Sequence, residues 1–281
     1  MITGKTKTLG IIGWPVSHSF SPNMHNAAFA ALELDYIYVP LPVHPDYLQA
    51  AVAGLKTLGF VGANVTIPHK VAIMPFLDEL DASAKLAGAV NTIVVKNGRC
   101  IGYNTDGQGF IKSLTAQDCT IVGKSAVLMG AGGAARAVVG GLLQNGIKEI
   151  IIGTRSPIKA QEFVELFPGE TLLKGYDWQQ ESFRNALEKC DFLINCTPIG
   201  MSSHKAEELP ISWERVKKEA VICDLIYNPP LTELLKAAQL RGHNVINGAG
   251  MLVEQGALAF ELWTGESAPR HIMSEVLSKA I

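Results

Sequence analysis

The stretch Ser125–Leu143, SAVLMGAGGAARAVVGGLL, decides the fold. Ser125 to Met129 reads as a strand, Gly130-Ala131-Gly132-Gly133-Ala134-Ala135 follows at once, and Ala137 to Leu143 continues as an apolar helix. Glycines in such a turn permit a tight bend and close backbone approach to a pyrophosphate, and the helix start offers unpaired N–H groups and a favourable dipole. Ala135 stands where the pattern has its last glycine, which the pattern allows. A glycine-rich turn can also exist only to pack a helix on a sheet. The order strand, turn, helix favours dinucleotide binding.

Outward from this stretch, apolar β-rich runs alternate with helix-period segments. Leu9 to Ile12, Phe60 to Val65, Ala126 to Met129, Ile150 to Ile152, Phe192 to Ile194 and Val221 to Cys223 are the strand candidates. Such alternation predicts an α/β fold with largely parallel sheets. The rhythm breaks at Val90 to Tyr103, where Asn97-Gly98 between two strand-like runs signals a type I′ hairpin. Gly107 to Gly123 is polar and poor in strand signals, so the crossover between two domains is expected there. After a final strand around Asn244 to Ile246, Met251 to Ile281 reads as two helices separated by Thr264 to Pro269.

Composition sets limits on partners. The 281 residues are 48% hydrophobic and 18% charged with a net charge of −2, enough for sizeable cores and without polyelectrolyte character. Neither a nucleic acid nor a membrane is indicated as partner. The five cysteines (Cys100, Cys119, Cys190, Cys196 and Cys223) are scattered and odd in number, which suits reduced thiols in a cytoplasm. No histidine stands in a metal-ligand spacing, and no metal is expected. Met1 to Thr8 holds no apolar stretch of the kind a secretory signal needs.

Polar residues cluster at the predicted strand ends. In Gly13–Asn26, GWPVSHSFSPNMHN, Ser21 before Pro22 predicts an N-cap for a helix running to Leu32, and Ser19 and Ser21 could bind a carboxylate or simply cap. Asn64-Val65-Thr66-Ile67-Pro68-His69-Lys70 ends one strand and begins a helix, with Asn64 and Thr66 on one face. Lysine in a first helical turn is disfavoured by the dipole, which points to a lowered pKa and proton transfer by Lys70, against the alternative of an exposed cation. Asn91 starts one arm of the hairpin and Asn104-Thr105-Asp106 ends the other, so Asp106 is a candidate partner for Lys70 or a turn residue. At the end of the strand after the glycine turn, Thr154, Arg155 and Ser156, with Lys159 behind, suit the 2′-phosphate of NADP; an acidic residue there would suit NAD. Cys196 has no base beside it and reads as a structural thiol.

Taken together, GWPVSHSFSPNMHN, NVTIPHK, GAVNT, GYNTDG, GAGGAARA, TRS, NCTPIGM, DLIYNPPLT and NGAGMLVEQGALAFELWTG resemble the shikimate dehydrogenase family in order and spacing over nearly the whole chain. The resemblance implies an N-terminal α/β substrate-binding domain, residues 1–106 and 248–281, and a Rossmann-like doubly wound NADP-binding domain, residues 107–247, with the C-terminal helices returning to the first. It implies that Lys70 and Asp106 are the catalytic pair. Ser19 and Ser21 would hold the shikimate carboxylate, and Asn64, Thr66, Asn91, Tyr227 and Gln255 would orient the ring. Gly130, Ala131, Gly132, Gly133 and Ala134 would hold the pyrophosphate of NADP, Thr154, Arg155, Ser156 and Lys159 its adenosine phosphate end, and Thr197, Leu225 and Gly248 the remainder. The implied reaction is reversible reduction of 3-dehydroshikimate to shikimate by NADPH, with a homodimer admitted. Thr154, Lys159 and Ala82 depart from residues frequent in the family.

Two other readings compete. A quinate/shikimate dehydrogenase of broad substrate use often carries an acidic residue at the cofactor strand end, where this chain has Arg155. A catalytically silent dinucleotide sensor on the same fold is expected to lack the Lys70 and Asp106 pair, and both are present.

Overall fold

The computed structural model describes residues 2–170, 172–201 and 207–281. The chain divides into two compact units, one of Met1–Phe110 with Leu252–Ala280 and one of Ile111–Met251 with Ile281. Along the chain run β1 (Lys7–Gly13), α1 (Ser21–Ala31), β2 (Tyr36–Pro42), α2 (Leu48–Thr57), β3 (Gly62–Val65), α3 (His69–Ala72), β4 (Glu79–Leu80), α4 (Ala82–Ala87), β5 (Thr92–Lys96) and β6 (Arg99–Tyr103). Next come α5 (Asp106–Thr115), β7 (Ser125–Met129), α6 (Gly133–Gln144), β8 (Glu149–Thr154), α7 (Pro157–Glu165), β9 (Leu173–Asp177), α8 (Glu181–Leu187) and β10 (Phe192–Asn195). The last elements are β11 (Val221–Asp224), α9 (Glu233–Gln239), β12 (Val245–Ile246), α10 (Ala249–Thr264) and α11 (Arg270–Ser278). The chain passes from one unit to the other inside α5 and inside α10, a few residues beyond the expected boundaries.

The first unit holds a six-stranded sheet in the order β2-β1-β3-β5-β6-β4. Its parallel half, β2-β1-β3, meets the β5–β6 hairpin through antiparallel pairing of β3 with β5. Asn97 and Gly98 both take positive φ, 52° and 72°, as the type I′ turn requires. β2, YIYVPLP, lies outside the strands expected from sequence. Pro40 and Pro42 obscured it, and they are tolerated because β2 is an edge strand whose outward N–H groups need no partner. Ile12, Val52, Leu55, Val65, Ile73, Val90 and Ile93 form one core on this sheet. Across it, Phe29 of α1 stacks on Phe260 of α10, and the Trp263 indole of α10 donates to the Ile93 carbonyl at 2.9 Å.

The second unit is a wholly parallel sheet in the order β12-β11-β10-β7-β8-β9. Counted from β7 as the first strand this is 6-5-4-1-2-3, the doubly wound order in which a dinucleotide binds at the reversal beyond the carboxyl ends of β7 and β10. β9, also an edge strand and also unanticipated, carries Gly175 under the close approach of α7, which breaks the apolar run that would have marked it. Among the described residues no helix is long and apolar enough to cross a membrane.

Candidate active site

In the first unit, the carboxyl end of β3 and the ends of the β5–β6 hairpin bring the predicted polar residues together. Lys70, in the single turn of α3, donates from Nζ to Asp106 Oδ2 at 2.5 Å. Asp106 opens α5 and is 6% exposed; its other oxygen accepts from Asn91 Nδ2 at 2.8 Å, and its N–H donates to Asn104 Oδ1. The Asn91 amide also donates to Thr105 Oγ1 at 2.8 Å and approaches Gln255 Oε1 of α10 at 3.4 Å, while Asn91 Oδ1 accepts from the Thr105 N–H at 2.8 Å. α3 spans only four residues, so Lys70 sits in its first and last turn at once. The dipole expected to act on Lys70 is therefore too short to matter, and Asp106 sets its electrostatic surroundings.

Asn64 extends the network. Its Nδ2 donates to the Asn91 carbonyl and to Thr92 Oγ1, both at 3.1 Å, and its Oδ1 accepts from the Tyr38 hydroxyl at 2.6 Å. With both amide hydrogens engaged, Asn64 has only a carbonyl lone pair left for a ligand hydroxyl. Tyr38 is buried, and desolvation pushes its phenol well up against the smaller opposing effect of a hydrogen bond from Ser21. Under it His25 stacks at 4.5 Å between centroids, a neutral imidazole that burial lowers to about 3.

Ser21 is not the N-cap expected from sequence. Phe20 occupies that position, Ser21 is the first helical residue with Pro22 behind it, and no side chain caps α1. The Ser21 N–H donates instead to Ser19 Oγ at 3.3 Å. The Trp14–Pro15 and Ile67–Pro68 bonds are cis.

In the second unit, Gly130 leaves β7 with φ of +103°, a conformation L side chains rarely adopt, and a Cβ there would meet Thr197 Cγ2 at 2.8 Å. Gly132 is the N-cap of α6 and lends no side chain to it, and Gly132, Gly133 and Ala134 are exposed. At the end of β8 the Thr154 hydroxyl is turned into its own loop, donating to the Ser156 carbonyl at 2.5 Å and accepting from the Ser156 N–H at 3.1 Å. Arg155 is exposed, lies 5.9 Å over the Trp178 ring and pairs with Glu207 at 3.3 Å. Lys159 lies exposed in the first turn of α7. Leu225 follows β11, and its carbonyl comes so close to Gly248 that a Cβ there would lie 2.0 Å from it, which makes glycine obligatory. Tyr227, two residues on, falls in this unit, and desolvation raises its phenol. Cys196 is likewise held up by burial, as an inert thiol would be.

The model of the shikimate dehydrogenase substrate binding domain matches residues 11–93, that of shikimate / quinate 5-dehydrogenase residues 113–247, and that of the shikimate 5'-dehydrogenase C-terminal domain residues 248–277. A shikimate dehydrogenase (NADP(+)) of Desulforamulus reducens is 46% identical, covering 100% of this chain and 97% of its own. The chain belongs to the shikimate dehydrogenase family. A solved shikimate dehydrogenase in complex with NADP+ is 44% identical with a TM-score of 0.92, covering 100% of this chain and 98% of its own. The Listeria monocytogenes shikimate 5-dehydrogenase, solved with shikimate and NAD, is 37% identical with a TM-score of 0.93, each chain covered to 98%.

As a member of this family the chain shows functional neighbours that sequence reasoning passed over. Tyr38 was hidden with its strand, and Thr92 stood inside the quoted GAVNT without being singled out. A period-two reading of β5 places Thr92 on the face of the sheet opposite Ile93, which was the available signal.

Proposed function

We propose that this chain is an NADP-dependent shikimate dehydrogenase that reversibly reduces 3-dehydroshikimate to shikimate, a step toward aromatic amino acids. The observation that carries the reading is the buried-edge pair Lys70–Asp106, tied to Asn91 within one hydrogen-bonded network. An ammonium has three donors, of which Asp106 takes one, so Lys70 keeps N–H groups for the substrate oxygen. In the reductive direction Lys70 delivers a proton to the oxygen as it becomes an alkoxide; in the oxidative direction it removes the hydroxyl proton. Asp106 and Asn91 hold the ammonium in line, and Gln255 closes the network. Ser19 and Ser21 take the substrate carboxylate, and Asn64 and Thr66 orient ring hydroxyls.

The second unit has the features NADP requires: an uncapped helix start after a positive-φ glycine and an exposed guanidinium stacked at the next strand end. When bound, the dinucleotide donates or accepts the hydride. Gly130 to Ala134 would hold its pyrophosphate, Thr154 to Lys159 the adenosine phosphate, and Thr197, Leu225 and Gly248 the other end. We assign the first unit to substrate binding and the second to the cofactor. Buried free thiols at Cys100, Cys190 and Cys223 support a reducing, cytoplasmic setting, and a homodimer completes the reading. The test is an assay of NADP+ and NAD+ reduction with shikimate and with quinate. The reading requires shikimate with NADP+ to be the most efficient combination, and comparable turnover of quinate would favour the broad-substrate alternative.

A further inference from the structure

A second buried polar network lies at the ends of β10 and β11, and the proton-transfer scheme makes no use of it. Asp224, the last residue of β11, is 1% exposed and sits beside the fully buried Asn195, the last residue of β10. One oxygen of Asp224 accepts from Asn195 Nδ2 and from the Ile226 N–H, both at 3.0 Å; the other accepts from Thr232 Oγ1 at 2.7 Å. All three donors are neutral. Asn195 is oriented by this contact, because its amide hydrogens go to Asp224 and to the Ile199 carbonyl at 3.0 Å. Its Oδ1 must then face the other way, where it accepts from the Thr197 N–H at 2.9 Å and the Thr197 hydroxyl at 2.7 Å. The Thr197 hydroxyl in turn accepts from the Ile199 N–H at 3.2 Å, and its methyl lies against Gly130. One carboxylate thus fixes both the segment that borders the glycine turn and the Leu225–Ile226 segment that presses on Gly248.

Desolvation raises Asp224 to about 6 although each of its three hydrogen bonds acts in the opposite direction. A neutral group of the same shape would avoid that penalty, but it could not accept from three donors at once.

We propose that Asp224 is a positioning residue for the dinucleotide site, holding Thr197 and the Leu225–Ile226 backbone in the arrangement that receives the cofactor. The proposal rests on the NADP reading above and adds to it a residue that touches neither cofactor nor substrate. Asp224→Asn is the test, since either orientation of the new amide sets an NH2 against a group that had been donating. The variant is expected to melt lower than wild type, because the amide leaves at least one buried donor without its acceptor. Amide exchange at Thr197, Ile199 and Ile226 should accelerate, and the Kd for NADP+ by calorimetry should rise about three- to tenfold, the range for one or two disturbed hydrogen bonds. The KM for shikimate should stay within about twofold, which a general loss of structure would not allow. An unchanged Kd for NADP+, or a KM for shikimate that rises as far as that Kd does, overturns the proposal. If the wild type itself bound no NADP+, the cofactor reading would fail, and the amide exchange alone would decide whether Asp224 anchors these segments.

Discussion

Lys70 Nζ and Asp106 Oδ2 stand 2.5 Å apart, though 36 residues separate them and they begin different helices. α3 and α5 start at the ends of β3 and the β5–β6 hairpin, so the sheet sets the spacing and neither helix needs length to hold its residue. Lys70→Ala is expected to lower kcat by about a hundredfold or more with little change in the KM for shikimate. Asp106→Asn removes the negative charge beside Lys70 and sets an NH2 against either Lys70 or Asn91, and it should also be strongly impaired. Because the two act as one unit, the double variant should lose less than the product of the single losses, and a full product would show that the pair is not coupled.

Ser21→Ala removes a hydroxyl that does not cap α1 but hydrogen-bonds the buried Tyr38 phenol. Its melting temperature should fall by no more than the loss of that one bond, about 0.5 to 1.5 kcal/mol, while the KM for shikimate rises by the equivalent of about 1.5 to 3 kcal/mol for a lost bond to a carboxylate. Ser19→Ala should raise KM similarly and additionally free the Ser21 N–H. Calorimetric melting together with shikimate and NADP+ titrations separates the effects, and a fall in stability with unaltered KM would reduce both serines to local structure.

Where local chemistry dictated structure, the chain was readable. The glycine turn between β7 and α6, the Asn97-Gly98 hairpin and the two C-terminal helices follow from φ requirements and periodicity that act within a few residues. β2 and β9 escaped because edge strands need neither continuous apolar runs nor every N–H, so Pro40, Pro42 and Gly175 could enter them. The site divides in the same way. Asn91, Thr105 and Asp106 could be expected at one sheet end, but the orientation of the Asn64 amide depends on Tyr38, 26 residues away on one of the missed strands. Lys70 was singled out for the wrong physical reason: its helix is one turn long, and it is the contact with Asp106 that defines it.

Asp224 also makes stability depend on pH in an unusual direction. Its folded-state value, about 6, lies above the ordinary 3.8, so the native protein binds the proton more tightly than the unfolded chain does. This contribution is fully present below the ordinary carboxylate range and is lost as pH rises through the folded value, a difference of about 3 kcal/mol at 1.36 kcal/mol per unit. The thiols of Cys196 and Cys223 border it and are themselves pushed up by burial, so neither titrates in this window. The stability of wild type relative to Asp224→Asn should therefore be greatest at acid pH and fall as pH rises through about 6, read from denaturant midpoints. A gap independent of pH would mean that the carboxylate is not the source.

Arg155 is paired in this structure, and that sets how large its contribution to cofactor choice can be. Its partner Glu207 is 3.3 Å away with both side chains largely in solvent, an arrangement worth no more than about 1 kcal/mol. A 2′-phosphate carries more charge than a carboxylate and offers oxygens that match the guanidinium fork, so it should displace Glu207 while the guanidinium stays stacked over Trp178. Arg155→Ala is then expected to weaken NADP+ by about 1.5 to 3 kcal/mol and leave NAD+ nearly untouched, shrinking the preference from one side. Lys159 should contribute less, as an exposed point charge in α7 that salt screens readily. Glu207→Gln removes the competing carboxylate and should tighten NADP+ by no more than about fivefold. The deciding measurement is the ratio of kcat/KM for NADP+ and NAD+ in wild type, Arg155→Ala and Glu207→Gln at one salt concentration. If Arg155→Ala left that ratio where it was, the 2′-phosphate would have to be recognised by other residues, and the assignment of the β8 end would be wrong.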